Sequence, residues 1–314
     1  AFGSTVSDTR TIRAWDGASW TTLGADPAFN AHVECLTVFD EDGPGPSPPM
    51  LYAGGLFTLI TGPTEVPAHR VARWDGLKWS PVGTGLGPAE IQYPEESVRR
   101  LVEFDPDGDG PAAPLLAAGG SFKSAGTVEV NGVAFWDGKV WLPGAPPEVD
   151  HNVSAMCVFD FDGPGGEPAE LVLGGSIFAP SLGKTSYIGR WSNGVWIPMN
   201  NGLGGYGAVR DLAAFDSDGN GPNAPELYAG GFFKPLGSAG GLGFVRWTGD
   251  VWAAVGDTDT EGEPYVTCFA PVYGAADGLP ALYLGGYFHS VHGISSQYIA
   301  KWSCPNAATN RTAK

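Results

Sequence analysis

Residues 71–79 read VARWDGLKW, two tryptophans five apart around an Asp-Gly pair. The phrase returns as IRAWDGASW at 12–20, VAFWDGKVW at 133–141, IGRWSNGVW at 188–196 and FVRWTGDVW at 244–252, and a clipped copy, IAKWSC, stands at 299–304. All eleven tryptophans belong to this series: Trp15/Trp20, Trp74/Trp79, Trp136/Trp141, Trp191/Trp196, Trp247/Trp252 and a lone Trp302. The pair is therefore one part of a repeat unit.

Two more phrases recur between successive pairs. One is an apolar run ending in Phe-Asp: VECLTVFD at 33–40, VRRLVEFD at 98–105, VSAMCVFD at 153–160, VRDLAAFD at 209–216 and a degenerate VTCFAPVY at 266–273. The other is MLYAGGLF at 50–57, LLAAGGSF at 115–122, LVLGGSIF at 171–178, LYAGGFF at 227–233 and LYLGGYF at 282–288. From the Phe of the first phrase to the first Gly of the second is fifteen residues in each of the first four units. Each unit of about 55 residues thus holds four short runs rich in Val, Phe, Leu, Tyr and Trp, separated by Gly/Pro/Asp clusters. No helical apolar period occurs.

Four short strands per unit predict an all-β fold, and one four-stranded sheet cannot bury both its faces alone. Stacking such sheets radially around an axis does, which is a β-propeller. The strands are called a (ending FD), b (AGG), c (RWDG) and d (the second Trp). Asp-Gly after the first Trp sets a tight c–d hairpin, so the tryptophans lie on its two arms. All eleven are expected to fill space between blades. Strands a, b and d occur five times and strand c six. The expected architecture is one five-bladed propeller over 1–304, with antiparallel four-stranded blades at about 33–83, 98–144, 153–199, 209–256 and 266–302 plus 11–24, and a tail at 305–314. The N-terminal strands would complete the C-terminal blade and so remove two sheet edges. Segments 11–15 and 298–302 then compete for one c position, and one is surplus. It either frays or is donated to a neighbouring molecule.

The order of GG ending strand b, an aromatic on c and Trp on d resembles the kelch and galactose-oxidase type of propeller, and the WD ending strand c is similar to WD-repeat blades. The phrase LYAGGxF…RWDGxxW…VFDxDGxGP resembles, over nearly the whole chain, the tandem repeats of exported bacterial proteins, notably of planctomycetes. The resemblance implies architecture and is nearly silent on activity.

Composition narrows the function classes. The formal net charge of −17 repels phosphate backbones and argues against nucleic acid as a partner. No run approaches eighteen apolar residues, so no membrane-spanning helix is expected. The opening AFGSTVSDTR lacks a start methionine and an apolar leader, which is the expectation for a secreted, extracellular protein after signal removal. Cys35, Cys157, Cys268 and Cys304 show no metal-ligand spacing. Three lie in strand-like runs as expected buried thiols, and Cys304 has Cys268 or Cys35 as alternative partners. Sequons stand at Asn152-Val153-Ser154 and Asn310-Arg311-Thr312.

Two candidate sites emerge. The a–b connections are Asp-rich, and Asp105/Asp107/Asp109 and Asp216/Asp218/Asn220 resemble the first half of a calcium loop. They depart from it in having Gly at the fourth position and Leu116 or Leu227 at the twelfth, and Asp-Gly also makes turns with no metal. Ca²⁺ is thus a candidate ligand, and no other cofactor is called for. The second site is a patch. The b–c loop at 58–70 is three residues longer than its counterparts and the d–a link at 84–97 five to seven longer. Both emerge on one propeller face, where His69, Arg70, Glu90, Tyr93, Glu95 and Glu96 are expected to gather. No HExxH, GxSxG, Walker loop or dinucleotide fingerprint is present, so no catalytic set is assigned. The leading expectation is a non-enzymatic structural or interaction module that self-assembles through its surplus strand into filaments or surface layers. A glycan-binding, lectin-like propeller and an extracellular hydrolase are the alternatives.

Overall fold

The computed structural model describes residues 2–5, 8–89, 96–108, 110–144, 150–163, 166–179, 184–185, 188–192, 194–199, 203, 207–219, 223–233, 243–255, 265–273, 280–291 and 294–302. These residues form β-strands and turns with no helix, arranged as the five-bladed β-propeller expected from the repeat. Each of the first four blades is an antiparallel sheet in the order a-b-c-d. Blade 1 comprises Val33–Phe39, Met50–Gly55, Val71–Trp74 and Trp79–Pro81. Blade 2 comprises Val98–Phe104, Leu115–Gly120, Val133–Trp136 and Trp141–Pro143. Blade 3 comprises Asp150–Phe159, Glu170–Ala179, Ile188–Ser192 and Val195–Pro198. Blade 4 comprises Ala208–Phe215, Glu226–Phe232, Phe244–Trp247 and Trp252–Ala254. Blade 5 carries strands a, b and c: Tyr265–Val272, Ala281–Tyr287 and Ile299–Trp302.

The register follows from the repeated phrases. In the first four blades and the N-terminal hairpin the two tryptophans are direct cross-strand partners, as in Trp74↔Trp79 and Trp136↔Trp141. Their rings meet at centroid distances of 5.3–5.5 Å in four of these hairpins, within the range of favourable aromatic contact. The Asp after the first Trp closes the turn. Asp16, Asp75 and Asp137 each accept two backbone N–H groups through Oδ1, at 2.7–2.8 Å. Those bonds hold all three carboxyls below their ordinary value, because they favour the charged form. Every strand a also carries a bulge just after its first Val, as between Val98 and Arg100.

The core lies between sheets. Separate apolar clusters join blades 1 and 2, 2 and 3, 3 and 4, and 4 and 5. A further one joins residues around Ile12, Ala28 and Phe29 to blade 1.

The N-terminal segment takes a different place from the one expected. Trp20–Thr22 pairs with Asp8–Trp15, and that strand pairs on its other side with Phe2–Thr5, giving a separate three-stranded sheet. Among the described residues no ladder joins it to Ile299–Trp302. Both competing c strands are therefore kept: the C-terminal one beside its own strand b, the N-terminal one beside Phe2–Thr5 standing in the place of a strand b. A local hairpin satisfies the N-terminal strand's hydrogen bonds at small loop-closure cost.

Candidate functional site

Two contacts build the joint between consecutive blades. The first pairs a glycine with a valine. A Cβ added to the first Gly of strand b would lie 2.6–2.8 Å from a Cγ1 of the first Val in the next blade: Gly54 against Val98, Gly119 against Val153, Gly174 against Val209 and Gly230 against Val266. Only glycine admits that approach. All four valines are fully buried, at 0% exposure, which stabilises by roughly 1.5–3 kcal/mol each. The second contact is the strand d indole. Trp79 Nε1 donates to the Leu23 carbonyl at 2.8 Å and Trp141 Nε1 to the Val82 carbonyl at 3.0 Å. Both acceptors lie three residues beyond the tryptophan of the preceding strand d.

Among the described residues neither contact is made between the C-terminal blade and the N-terminal part of the chain. Gly285, the fifth glycine of the series, has among the described residues only Cys268 Sγ of its own blade within reach of an added Cβ. Val33, the matching valine, is half-buried. Trp20 is 52% exposed, against 6% for Trp79 and Trp141. On the opposite side of this seam Ile299 is 66% exposed, and Tyr287 and Tyr298 are open to solvent as well. Trp15 and Trp20 are thus exceptions to the expectation that every tryptophan is core: among the described residues no preceding blade lies against them. Trp136 is buried like Trp79 and Trp141, and Trp74, Trp191, Trp196, Trp247, Trp252 and Trp302 are half-buried.

The Asp-rich connections fold as turns. Asp105 Oδ1 accepts the Asp107 N–H at 3.2 Å and Asp107 Oδ2 the Ala112 N–H at 3.1 Å. Asp216 and Asp218 repeat this with the N–H groups of Asp218 and Asn223. One feature exceeds what a turn needs: Oδ1 of Asp42, Asp107 and Asp218, at the same place in three repeats, is shielded from solvent with no hydrogen-bond partner among the described residues. Asp109 and Asn220 lie outside the described residues. Among the described residues no three His, Cys, Asp or Glu side chains converge as a metal site.

In the insertion patch the structure brings His69, Arg70 and Glu96 together, while Glu90, Tyr93 and Glu95 lie outside the described residues. Arg70 is not on the surface. Its side chain is fully buried and donates to the carbonyls of Glu96 at 2.8 Å, Leu86 at 3.2 Å and Pro88 at 2.5 Å, so it clamps the long d–a link from beneath. Burial first, and the Arg70 charge second, hold the His69 imidazole below its ordinary value. Glu96 accepts the Lys123 N–H. Arg70 and Glu96 are thereby engaged in fixing these loops.

Cys35, Cys157 and Cys268 are free thiols. Burial pushes Cys35 up to about 12 and raises Cys157 as well, whereas Cys268 is exposed at the seam and departs from the buried thiol expected. Cys304 and its alternative pairings lie outside the described residues.

Sequence reading missed an ion pair across the propeller axis. Arg100 of blade 2 donates to the Arg210 carbonyl at 3.0 Å and meets Asp211 Oδ1 of blade 4 at 3.4 Å, and Asp211 Oδ2 accepts the Phe269 N–H of blade 5 at 2.7 Å. Burial raises the Asp211 carboxyl, and Arg100 opposes that shift. The available signal was that strand a position three holds Arg100 and Asp211 where the other blades hold Cys or Ala.

No protein-family model and no curated protein matches this chain.

Proposed function

We propose that this protein is an extracellular, non-enzymatic structural module that assembles head to tail with copies of itself. The carrying observation is the seam. Gly285 and Val33 are the two halves of a joint made four times elsewhere in the chain, and within one chain they do not meet. Among the described residues the C-terminal blade has strands a, b and c but no strand d, and the exposed Trp20 lies on a strand d with no preceding blade against it. The N-terminal hairpin of a second copy fits that vacancy by the rules that join the other blades. It would seat its Val33 on Gly285 and cover the Ile299–Trp302 edge. Such strand addition uses main-chain hydrogen bonds for affinity. A heterologous contact of this kind grows into a filament unless its rotation closes a ring.

The test is light scattering after size exclusion, with negative-stain microscopy, over a range of micromolar concentrations. Growth of mass with concentration, abolished by Trp20→Glu or Ile299→Lys, is the expected result; Ile299 is 66% exposed, so Ile299→Lys leaves the melting temperature of the single chain unchanged. Monomeric rings at all concentrations would mean that the seam closes within one chain, and would overturn the proposal.

Calcium belongs to this proposal as a brace for the a–b connections, supported by the recurrent partnerless carboxylate oxygen of Asp42, Asp107 and Asp218.

A further inference from the structure

Beyond assembly, the joints between blades differ from one another at the end where the a–b loop meets the next c–d hairpin. One residue that differs there is the x of FDxD: Glu41, Pro106, Phe161 and Ser217 in successive units. Between blades 1 and 2, Glu41 fills the joint. Its carboxylate accepts Trp136 Nε1 at 2.7 Å and Tyr52 Oη at 2.6 Å and pairs with Arg73 at 2.6 Å. Between blades 2 and 3, where Pro106 stands, a recess of about 120 Å³ remains. Between blades 3 and 4 there is a groove of about 410 Å³, within the ordinary size range of small-molecule sites.

The groove's walls have a definite chemistry. Phe159 and Phe161 pack edge to face at 4.8 Å, and the Arg190 guanidinium lies 4.9 Å from the Phe161 ring centre. Trp247 lines the opposite wall, and Glu226 and Asp250 stand beside it. Phe161, unlike Glu41, has no oxygen to offer the indole across the joint. The wall's charges are largely matched in place: Arg190 pairs with Glu170 at 3.1 Å, and Glu226 with Arg246. Glu226 also accepts Tyr228 Oη at 2.6 Å. An ionic ligand would have to break these pairs. A neutral ligand with an apolar face and a rim of hydroxyls would not: its C–H face suits an aromatic wall, and its hydroxyls both accept from a guanidinium and donate to carboxylates.

We propose that the groove between blades 3 and 4 is a saccharide-binding site that takes one pyranose unit between Phe161 and Trp247, with Asp250 and Glu226 receiving its hydroxyls. The proposal is independent of self-assembly and applies to a single chain.

The experiment is a titration of tryptophan fluorescence, with saturation-transfer NMR, using methyl glycosides of glucose, galactose, mannose and N-acetylglucosamine at millimolar concentration. At least one glycoside is expected to give a saturable response. Phe161→Glu, which restores the carboxylate found at Glu41, is expected to weaken it about tenfold or more, and Asp250→Ala, at an exposed position, to weaken it as well. No saturable response from any of the four, or a response that both variants leave unchanged, would overturn the proposal.

Discussion

At the residue scale the repeat is a set of fitted pairs. Trp136 is the fullest example: it is 3% exposed, partnered across the strands by Trp141, bonded through Nε1 to Glu41, and pressed against Gly83 of the preceding blade. Trp136→Ala removes the ring and leaves the Glu41 oxygen short of a donor. A loss of about 3–5 kcal/mol is expected, read from the denaturant midpoint; a variant melting within a degree of the parent would contradict this account of the joint. Backbone geometry shows the same fitting. The residue before strand c is left-handed in four blades, at Arg70, Gly132, Gly243 and Tyr298, and its carbonyl accepts the N–H of the second glycine of strand b in each. Two of the four are not glycine, although a left-handed conformation costs such residues roughly 1–2 kcal/mol. At Arg70 the three carbonyl contacts of the buried guanidinium hold the residue there.

At the element scale the a–b connection is the part whose purpose the turn chemistry does not exhaust. Asx turns of this kind form without metal, but they leave no reason for a shielded carboxylate oxygen in three repeats. If calcium occupies these loops, EDTA lowers the melting temperature and added calcium restores it, because a ligand bound only by the folded state stabilises by mass action. An unchanged melting temperature would reduce the loops to turns. The strand elements themselves were legible in the sequence, since Val, Phe and Trp at fixed intervals between Gly and Asp leave little choice of strand or turn. The b–c connections were not. Ribbons such as Leu59–Ile60 with Val66–Pro67, and Ser124–Ala125 with Val128–Glu129, are two residues per strand and carry no alternation to read.

At the scale of the whole molecule, blades 2, 4 and 5 are tied across the axis by Arg100 and Asp211. Arg100→Met leaves a buried carboxylate without its cation. The pair is 29% and 15% exposed, so the expected loss at neutral pH is roughly 2 kcal/mol, below the 3–5 of a fully enclosed pair. The Asp211 carboxyl is already raised by burial, and losing Arg100 raises it further. The penalty is therefore complete above that raised value and shrinks as pH falls toward the ordinary carboxylate range, where both folded and unfolded chains are protonated. Melting curves of the variant and the parent that converge on acidification are the expected result; a gap independent of pH would assign the loss to packing alone.

Sequence alone determined the strand content, the blade repeat and the hairpin that opposes two tryptophans, because these depend on spacing and on local turn chemistry. It also marked the two competing c strands. Only the tertiary structure decided how that competition ends, where Arg70 points and which joints stay open. These depend on which distant residue lies opposite: Glu41 fills one joint where Phe161 borders a groove in another, and among the described residues Gly285 has no valine opposite it. Spacing marks where the repeat is irregular, but only the packing of one blade on the next decides which joints form, and among the described residues the one between Gly285 and Val33 does not.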